Sequence, residues 1–186
     1  MIKVKIEHSK NGPNDEFYTP TIAVEMILPY IPKHVIRIWE CTAVKESKIV
    51  MVLRENGFTV VSTHINDGYD FLSFEPADYD IIITNPPFSL KDKFLERAFR
   101  LKKPFMFLLP ITTLEGVNRG KMFSEHKIQL LIPDRRFSFT DKKNGAWFQT
   151  SWFTCGLGLN SDLIFIPIQN QTIESTTIIN QIMMAA

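Results

Sequence analysis

The sequence predicts an α/β protein built on a single, mostly parallel sheet of about seven strands with helices on both faces. Three observations carry this. Short apolar runs alternate with helical stretches along most of the chain, the pattern of a parallel sheet. The runs are apolar at successive positions rather than at every second one, as strands covered on both faces require. No internal repeat or linker interrupts the alternation.

The elements follow in order. Thr19-Pro20 reads as an N-cap followed by proline at the first helical position. That helix carries Ile22, Val24, Ile27 and Leu28 and stops before Pro32. Val35 to Trp39 is a short buried strand. A helix from about Val44 to Asn56 shows Ile49, Val50, Val52 and Leu53, and Gly57 closes it. Phe58 to Ile65 and Tyr79 to Thr84 are the next strands. Leu90 to Leu101 is amphipathic, with Phe94, Leu95, Ala98 and Phe99 facing inward. Pro104 to Leu109 is a strand, followed by a mostly polar stretch and a short helix around Met122. Ile128 to Ile132, Ser151 to Gly156 and Asp162 to Ile166 complete the set. In such a sheet ligands sit beyond the carboxyl ends of strands, where strand order reverses. That brings together the loops after Trp39, Ile65, Thr84 and Leu109.

Composition bounds the class. The 186 residues suffice for one well-buried core and are short for two domains. The contents of 45% hydrophobic and 22% charged residues are those of an ordinary globular protein. No apolar run reaches membrane-spanning length, and Met1 to Lys5 alternates charged with apolar residues, unlike a signal peptide. Two cysteines, Cys41 and Cys155, are too few for a disulfide framework and lack metal-ligand spacing. A cytoplasmic setting is the default expectation. The net charge of +1 hides an asymmetry: residues 1–90 carry −4, residues 91–143 carry +7. The positive stretch is a place for a polyanion to approach, or simply a solvated helix face with its loops.

The most informative segment is Asn85-Pro86-Pro87-Phe88, directly after the apolar run Tyr79-Asp80-Ile81-Ile82-Ile83-Thr84. Neither proline has an N–H to continue a ladder, and each fixes its own φ. The chain therefore leaves the sheet in one defined shape, with an amide, free carbonyls and an aromatic ring together. A planar ring bearing an exocyclic amine suits that spot, since amide and carbonyl oxygens accept its hydrogens and the phenyl ring stacks on it.

On these residues the chain resembles the S-adenosylmethionine-dependent amino-methyltransferases of the adenine-N6 type, most of all small phage and prophage versions, over residues 14–158. The resemblance implies a single-domain Rossmann-like methyltransferase fold, with the domain expected over residues 1–168; residues 169–186 are polar, then weakly helical, and read as a tail suited to disorder. It implies that Asn85 and the Pro86 carbonyl hold the target amine on a Pro87-stiffened turn while Phe88 stacks on a flipped base. Asp15-Glu16-Phe17-Tyr18-Thr19-Pro20 is similar to the family's amino-terminal motif, which puts Phe17, Thr19 and Pro20 against the cofactor's methionine end. Asp70-Phe71-Leu72 resembles the pair that receives the cofactor's adenine, Asp70 accepting its amine and Phe71 packing on its ring.

Trp39-Glu40 begins the family's cofactor loop, Glu40 and Thr42 falling in its binding region. Yet Cys41-Thr42-Ala43-Val44-Lys45-Glu46-Ser47 holds no glycine, so Val44 and Glu46 are expected to crowd or repel a ligand. Where an acid should meet the ribose hydroxyls stands His64. Downstream, Arg135, Arg136, Lys142 and Lys143 are candidates for phosphate contacts, and Phe137 or Phe139 for wedging or stacking. The function implied is methyl transfer from S-adenosylmethionine to adenine N6 in double-stranded DNA, in a bacterial host cytoplasm for a phage enzyme. The alternatives are a nucleic-acid-binding protein that has lost the cofactor, or an enzyme acting on RNA adenine or a glutamine amide.

Overall fold

In the computed structural model, residues 19–45, 47–137 and 149–168 are described. Seven strands among them form one sheet: β1 (Arg37–Glu40), β2 (Thr59–Ser62), β3 (Ile81–Thr84), β4 (Phe105–Pro110), β5 (Gln129–Pro133), β6 (Thr150–Cys155) and β7 (Leu163–Ile166). Their spatial order is β2-β1-β3-β4-β6-β5-β7. All neighbours are parallel except β6, which runs antiparallel to both β4 and β5. The chain steps from β1 out to β2, then returns to lay β3 on the other side of β1. The strand order reverses between β1 and β3, and the carboxyl ends of those two strands open the crevice expected of this topology.

Four α-helices cover the sheet: α1 (Thr21–Glu25), α2 (Lys48–Glu55), α3 (Lys91–Leu101) and α4 (Val117–His126). Period-two alternation of the strands sorts the core into two layers. Ile38, Ile81, Ile83, Met106, Leu108 and Trp152 face the side of α1 and α2. Trp39, Ile82, Phe105, Phe107, Leu109 and Phe153 face the side of α3. Each fully buried side chain of this size contributes about 1.5–3 kcal/mol, so both layers matter to stability. The indole N–H of Trp152 donates to the Ala23 carbonyl at 2.7 Å and ties short α1 to β6.

Several boundaries differ from the sequence expectation for local reasons. Thr19 does not cap α1. Pro20 occupies the cap with no side-chain bond, and the Thr19 hydroxyl is engaged elsewhere. The helix expected from Val44 starts at Lys48, because the Ser47 hydroxyl accepts from the Val50 N–H and caps it. Gly57 closes α2 as expected, at φ 87° with the Phe58 N–H returning to the Leu53 carbonyl at 3.1 Å. Phe137, expected as a stacking side chain, is buried in the α1/α2-side core at 3% exposure, so its ring is not available to a nucleic acid. No helix among the described residues is long and apolar enough to cross a membrane.

Candidate active site at the strand switch point

Glu40 ends β1 and Thr84 ends β3, side by side at the switch point. Both are buried, at 1% and 0% exposure. The Thr84 hydroxyl donates to Glu40 Oε1 at 2.6 Å. The same oxygen accepts from the Thr42 N–H at 3.1 Å and lies 2.9 Å from the Thr42 hydroxyl. Thr42 Oγ1 also sits 2.7 Å from the Thr84 hydroxyl and 3.2 Å from the Asn85 carbonyl. Two residues, Thr42 in the loop after β1 and Thr84 at the end of β3, thus converge on one carboxylate oxygen. Glu40 Oε2 is equally buried and has no hydrogen-bond partner among the described residues. Burial raises the Glu40 carboxyl from 4.5 to about 7, opposed by the hydrogen bonds from Thr84, Thr42 and Ser47. A buried carboxyl with an orphan oxygen calls for a partner, which either its own proton or a cationic group supplies.

The loop from β1 to α2 was expected to suffer from its lack of glycine. Among the described residues, positive φ outside glycine occurs only at Lys102 and Lys127. The described residues of the loop, all but Glu46, therefore turn without the left-handed conformation that glycine would serve. It instead spends its backbone donors on its own chain: Thr42 N–H on Glu40, Ala43 N–H on the Thr63 carbonyl at 3.0 Å, Ser47 N–H on the Val44 carbonyl at 3.1 Å. Val44 lines the crevice without closing it.

That crevice holds about 970 Å³ counting its open mouth. It is walled by Thr19; by Glu40, Cys41, Thr42, Val44 and Ser47 to Ile49; by His64 and Ile65; by Asp70 and Phe71; and by Asn85, Pro86, Pro87, Leu90 and Phe94. The structure thus gathers, from five separate stretches of chain, most of the residues the sequence singled out for the cofactor and the catalytic turn, though neither Pro20 nor Phe88 is in the lining. Asp70 Oδ1 accepts from the Leu72 N–H at 2.9 Å. Phe71 is 2% exposed, stacked on Phe94 at 4.6 Å and tilted on Trp39 at 5.2 Å, so it serves chiefly as core and only then as pocket wall. His64 Nδ1 accepts from the Asn66 N–H at 3.1 Å.

The Asn-Pro-Pro-Phe turn supplies the neighbouring part of the lining through Asn85, Pro86 and Pro87. Its conformation is extended at Pro87 and passes into a 3-10 turn over Phe88–Leu90, then α3. The Asn85 amide N–H donates to the Thr19 hydroxyl at 3.0 Å, which fixes which way the amide points. Its amide oxygen is covered. Phe88 is half-buried, and its carbonyl accepts from Lys91 Nζ at 3.3 Å. Sequence reasoning missed Thr84, Ile65, Leu90 and Phe94 as site residues. Thr84 directly precedes Asn85, and a hydroxyl just before the turn was the available signal.

The basic residues divide. Arg135 and Arg136 are exposed just past β5, at the same carboxyl end of the sheet as the Asn85 turn but three strands across from β3, since β5 runs parallel to β4 through antiparallel β6. Arg135 pairs with its neighbour Asp134 at 3.0 Å. Phe17, Phe139, Lys142 and Lys143 lie outside the described residues.

Comparison with known proteins agrees with this architecture. No family model matches the chain. The type II methyltransferase M.EcoRI of Escherichia coli is 34% identical over 74 residues, 38% of this chain and 22% of that protein. A type I restriction-modification methyltransferase subunit from Streptococcus thermophilus superposes with a TM-score of 0.56 at 17% identity, over 89% of this chain and 52% of that one. A Listeria monocytogenes protein described as a class I S-adenosylmethionine-dependent methyltransferase superposes with a TM-score of 0.57 at 12% identity, over 92% and 72%. The two superpositions establish a Rossmann-like methyltransferase fold. The chain spans about a fifth of the length of M.EcoRI and about half of the S. thermophilus subunit.

Proposed function

We propose that this chain transfers a methyl group from S-adenosylmethionine to the N6 amine of adenine in DNA. The observation that carries the reading is the placement of the Asn85-Pro86-Pro87 turn and the buried Glu40 carboxylate as neighbours in the lining of one crevice, joined through Thr42 and Thr84. The partial likeness to M.EcoRI supports the same reading.

The residues present fit the cofactor. Glu40, with its orphan Oε2, suits an ammonium or a sulfonium nearby. Asp70, with Oδ1 on Leu72, keeps its other oxygen for an adenine amine. Ile65, 40% exposed at the crevice, offers an apolar surface for a planar base. Bound there, S-adenosylmethionine supplies an electrophilic methyl carbon.

The chain's own part is to prepare the nucleophile. An adenine amine is weak because its lone pair is delocalised into the ring. Accepting its two hydrogens, at Asn85 Oδ1 and the Pro86 carbonyl, draws the nitrogen toward a tetrahedral form and localises that pair. The prolines hold both acceptors in place before the base arrives, so little ordering remains for the reaction itself. Phe88 offers a face for stacking. The covered Asn85 oxygen means that the wall beside it opens as the base enters. Arg135 and Arg136, at the same carboxyl end of the sheet, serve phosphates, as do Lys142 and Lys143.

One observation favours a second reading, a nucleic-acid-binding protein without transfer: in the β1–α2 loop the N–H groups of Thr42, Ala43 and Ser47 are bonded within the chain. Incubation with DNA and methyl-labelled S-adenosylmethionine, followed by nucleoside analysis, separates the two. Label in N6-methyladenine, lost in Asn85→Ala, is the expected result. No label in DNA, with RNA as a parallel substrate, would overturn the DNA reading.

A further inference from the structure

In doubly wound sheets an acid beyond the second strand accepts hydrogens from the ribose hydroxyls of a bound nucleotide. Here β2 ends at Ser62, and the side chain entering the crevice next is His64. Its Nδ1 accepts from the Asn66 N–H at 3.1 Å, so Nδ1 carries a lone pair and the ring proton sits on Nε2. Among the described residues no protein acceptor takes that proton. His64 lines the crevice, and its Nε2 is not among the buried polar atoms lacking a partner. The residue as a whole is 9% exposed, which holds the ring in place. The polarity at this position is therefore the reverse of a carboxylate's: a donor stands where an acceptor would be.

A second feature bears on the same spot. His64 is shared between the crevice and a neighbouring open groove of about 1150 Å³, lined also by Lys45, Arg54, Ser62 and Asn66. The exposed acid Asp67 lines that groove and not the crevice. A group attached to the ligand at His64 has space to continue outward.

We propose that His64 is the specificity-determining residue on the ribose side of the site. It donates from Nε2 to a hydroxyl oxygen, so the site reads ribose oxygens as acceptors and does not require their hydrogens. This rests on the S-adenosylmethionine reading above. A carboxylate at the position rejects a ligand whose hydroxyl has become an ether, because the O–H it would accept is gone. A histidine N–H keeps its bond to an ether oxygen, and the adjoining groove takes the alkyl group.

The test is calorimetric titration of the wild-type protein with S-adenosylhomocysteine and with its 2′-O-methyl and 3′-O-methyl ethers. At least one ether is expected to bind within about threefold of the parent. His64→Asp, checked for folding by circular dichroism, is expected to prefer the parent over that ether by about tenfold or more, as charge-assisted bonds to hydroxyl hydrogens require. His64→Phe, which keeps a planar ring without the donor, is expected to weaken parent and ether alike by about tenfold. Loss of tenfold or more on both ethers in the wild type, with the parent still bound, would overturn the proposal and leave the cofactor reading standing. No binding of the parent would sink both. The wild-type comparison needs no variant, so misfolding cannot obscure it.

Discussion

Two loops leave neighbouring strands at the same crevice, and they are made rigid in opposite ways. The turn after β3 is stiffened covalently, by Pro86 and Pro87 fixing their own φ. The loop after β1 has neither proline nor glycine from Cys41 to Ser47. It is held by contacts: Thr42 to Glu40, Thr84 and the Asn85 carbonyl, and Ala43 to Thr63. One loop carries its shape in its own residues, the other borrows it from the first. The two loops are for this reason tied together through Thr42, which touches both.

Breaking the covalent side should have the largest effect. Asn85→Ala removes the acceptor proposed for the target amine, and a loss of about 100- to 1000-fold in kcat is expected, by analogy with removal of single oxyanion-hole groups. Single-turnover transfer of labelled methyl checks it, and unchanged affinity for S-adenosylhomocysteine would place the loss in the turn rather than the pocket.

Next in size is the pH response of Glu40. Its carboxyl is raised from 4.5 to about 7 by burial, so the folded state holds a proton that the unfolded chain releases. The stability this gives is complete below about pH 4.5 and fades as pH rises through about 7. At about 1.4 kcal/mol per unit the loss is about 3 kcal/mol. Glu40→Gln should abolish that slope, read by urea unfolding at pH 5 and pH 8. A cationic ligand prefers the ionised acid, so its Kd in the wild type should worsen about tenfold per unit below pH 7.

Thr42→Val tests the coupling. Loss of its hydroxyl should cost about 1 kcal/mol in ligand affinity and a similar amount in the transfer barrier, since both walls lose a tie. Thr42→Ser should restore both; an effect on affinity alone would uncouple the loops. The smallest effect is expected from Ala43→Gly. If the β1–α2 loop has no need of positive φ, glycine there relaxes the unfolded chain and costs up to about 1 kcal/mol of stability without improving affinity. Tighter binding would show that the loop lacks glycine at a cost to function.

What was legible in the sequence follows the same division. The Asn-Pro-Pro-Phe turn could be read because proline's constraint is local. The sheet could be read because apolar runs such as Ile81–Thr84 and Phe105–Pro110 are long enough to show their type. Thr19 was misread as a cap because its partner, Asn85, lies 66 residues away. The glycine-free loop looked defective because Thr42 and Thr84, 42 residues apart, show their contact only in space. Phe137 looked like a base-stacking residue beside two arginines, while its apolar ring was needed by the core beside Ile168 and Trp152. The insertion of antiparallel β6 between β4 and β5 leaves no trace in chain order.

The most direct measurement is calorimetric titration of S-adenosylhomocysteine into the wild-type protein at pH 8, where Glu40 is mostly ionised. A stoichiometric Kd in the micromolar range, weakened at least tenfold in Glu40→Gln, is the expected result. A folded protein that shows no saturable binding at millimolar ligand would contradict the claim that a contact-held, glycine-free loop makes a working cofactor wall.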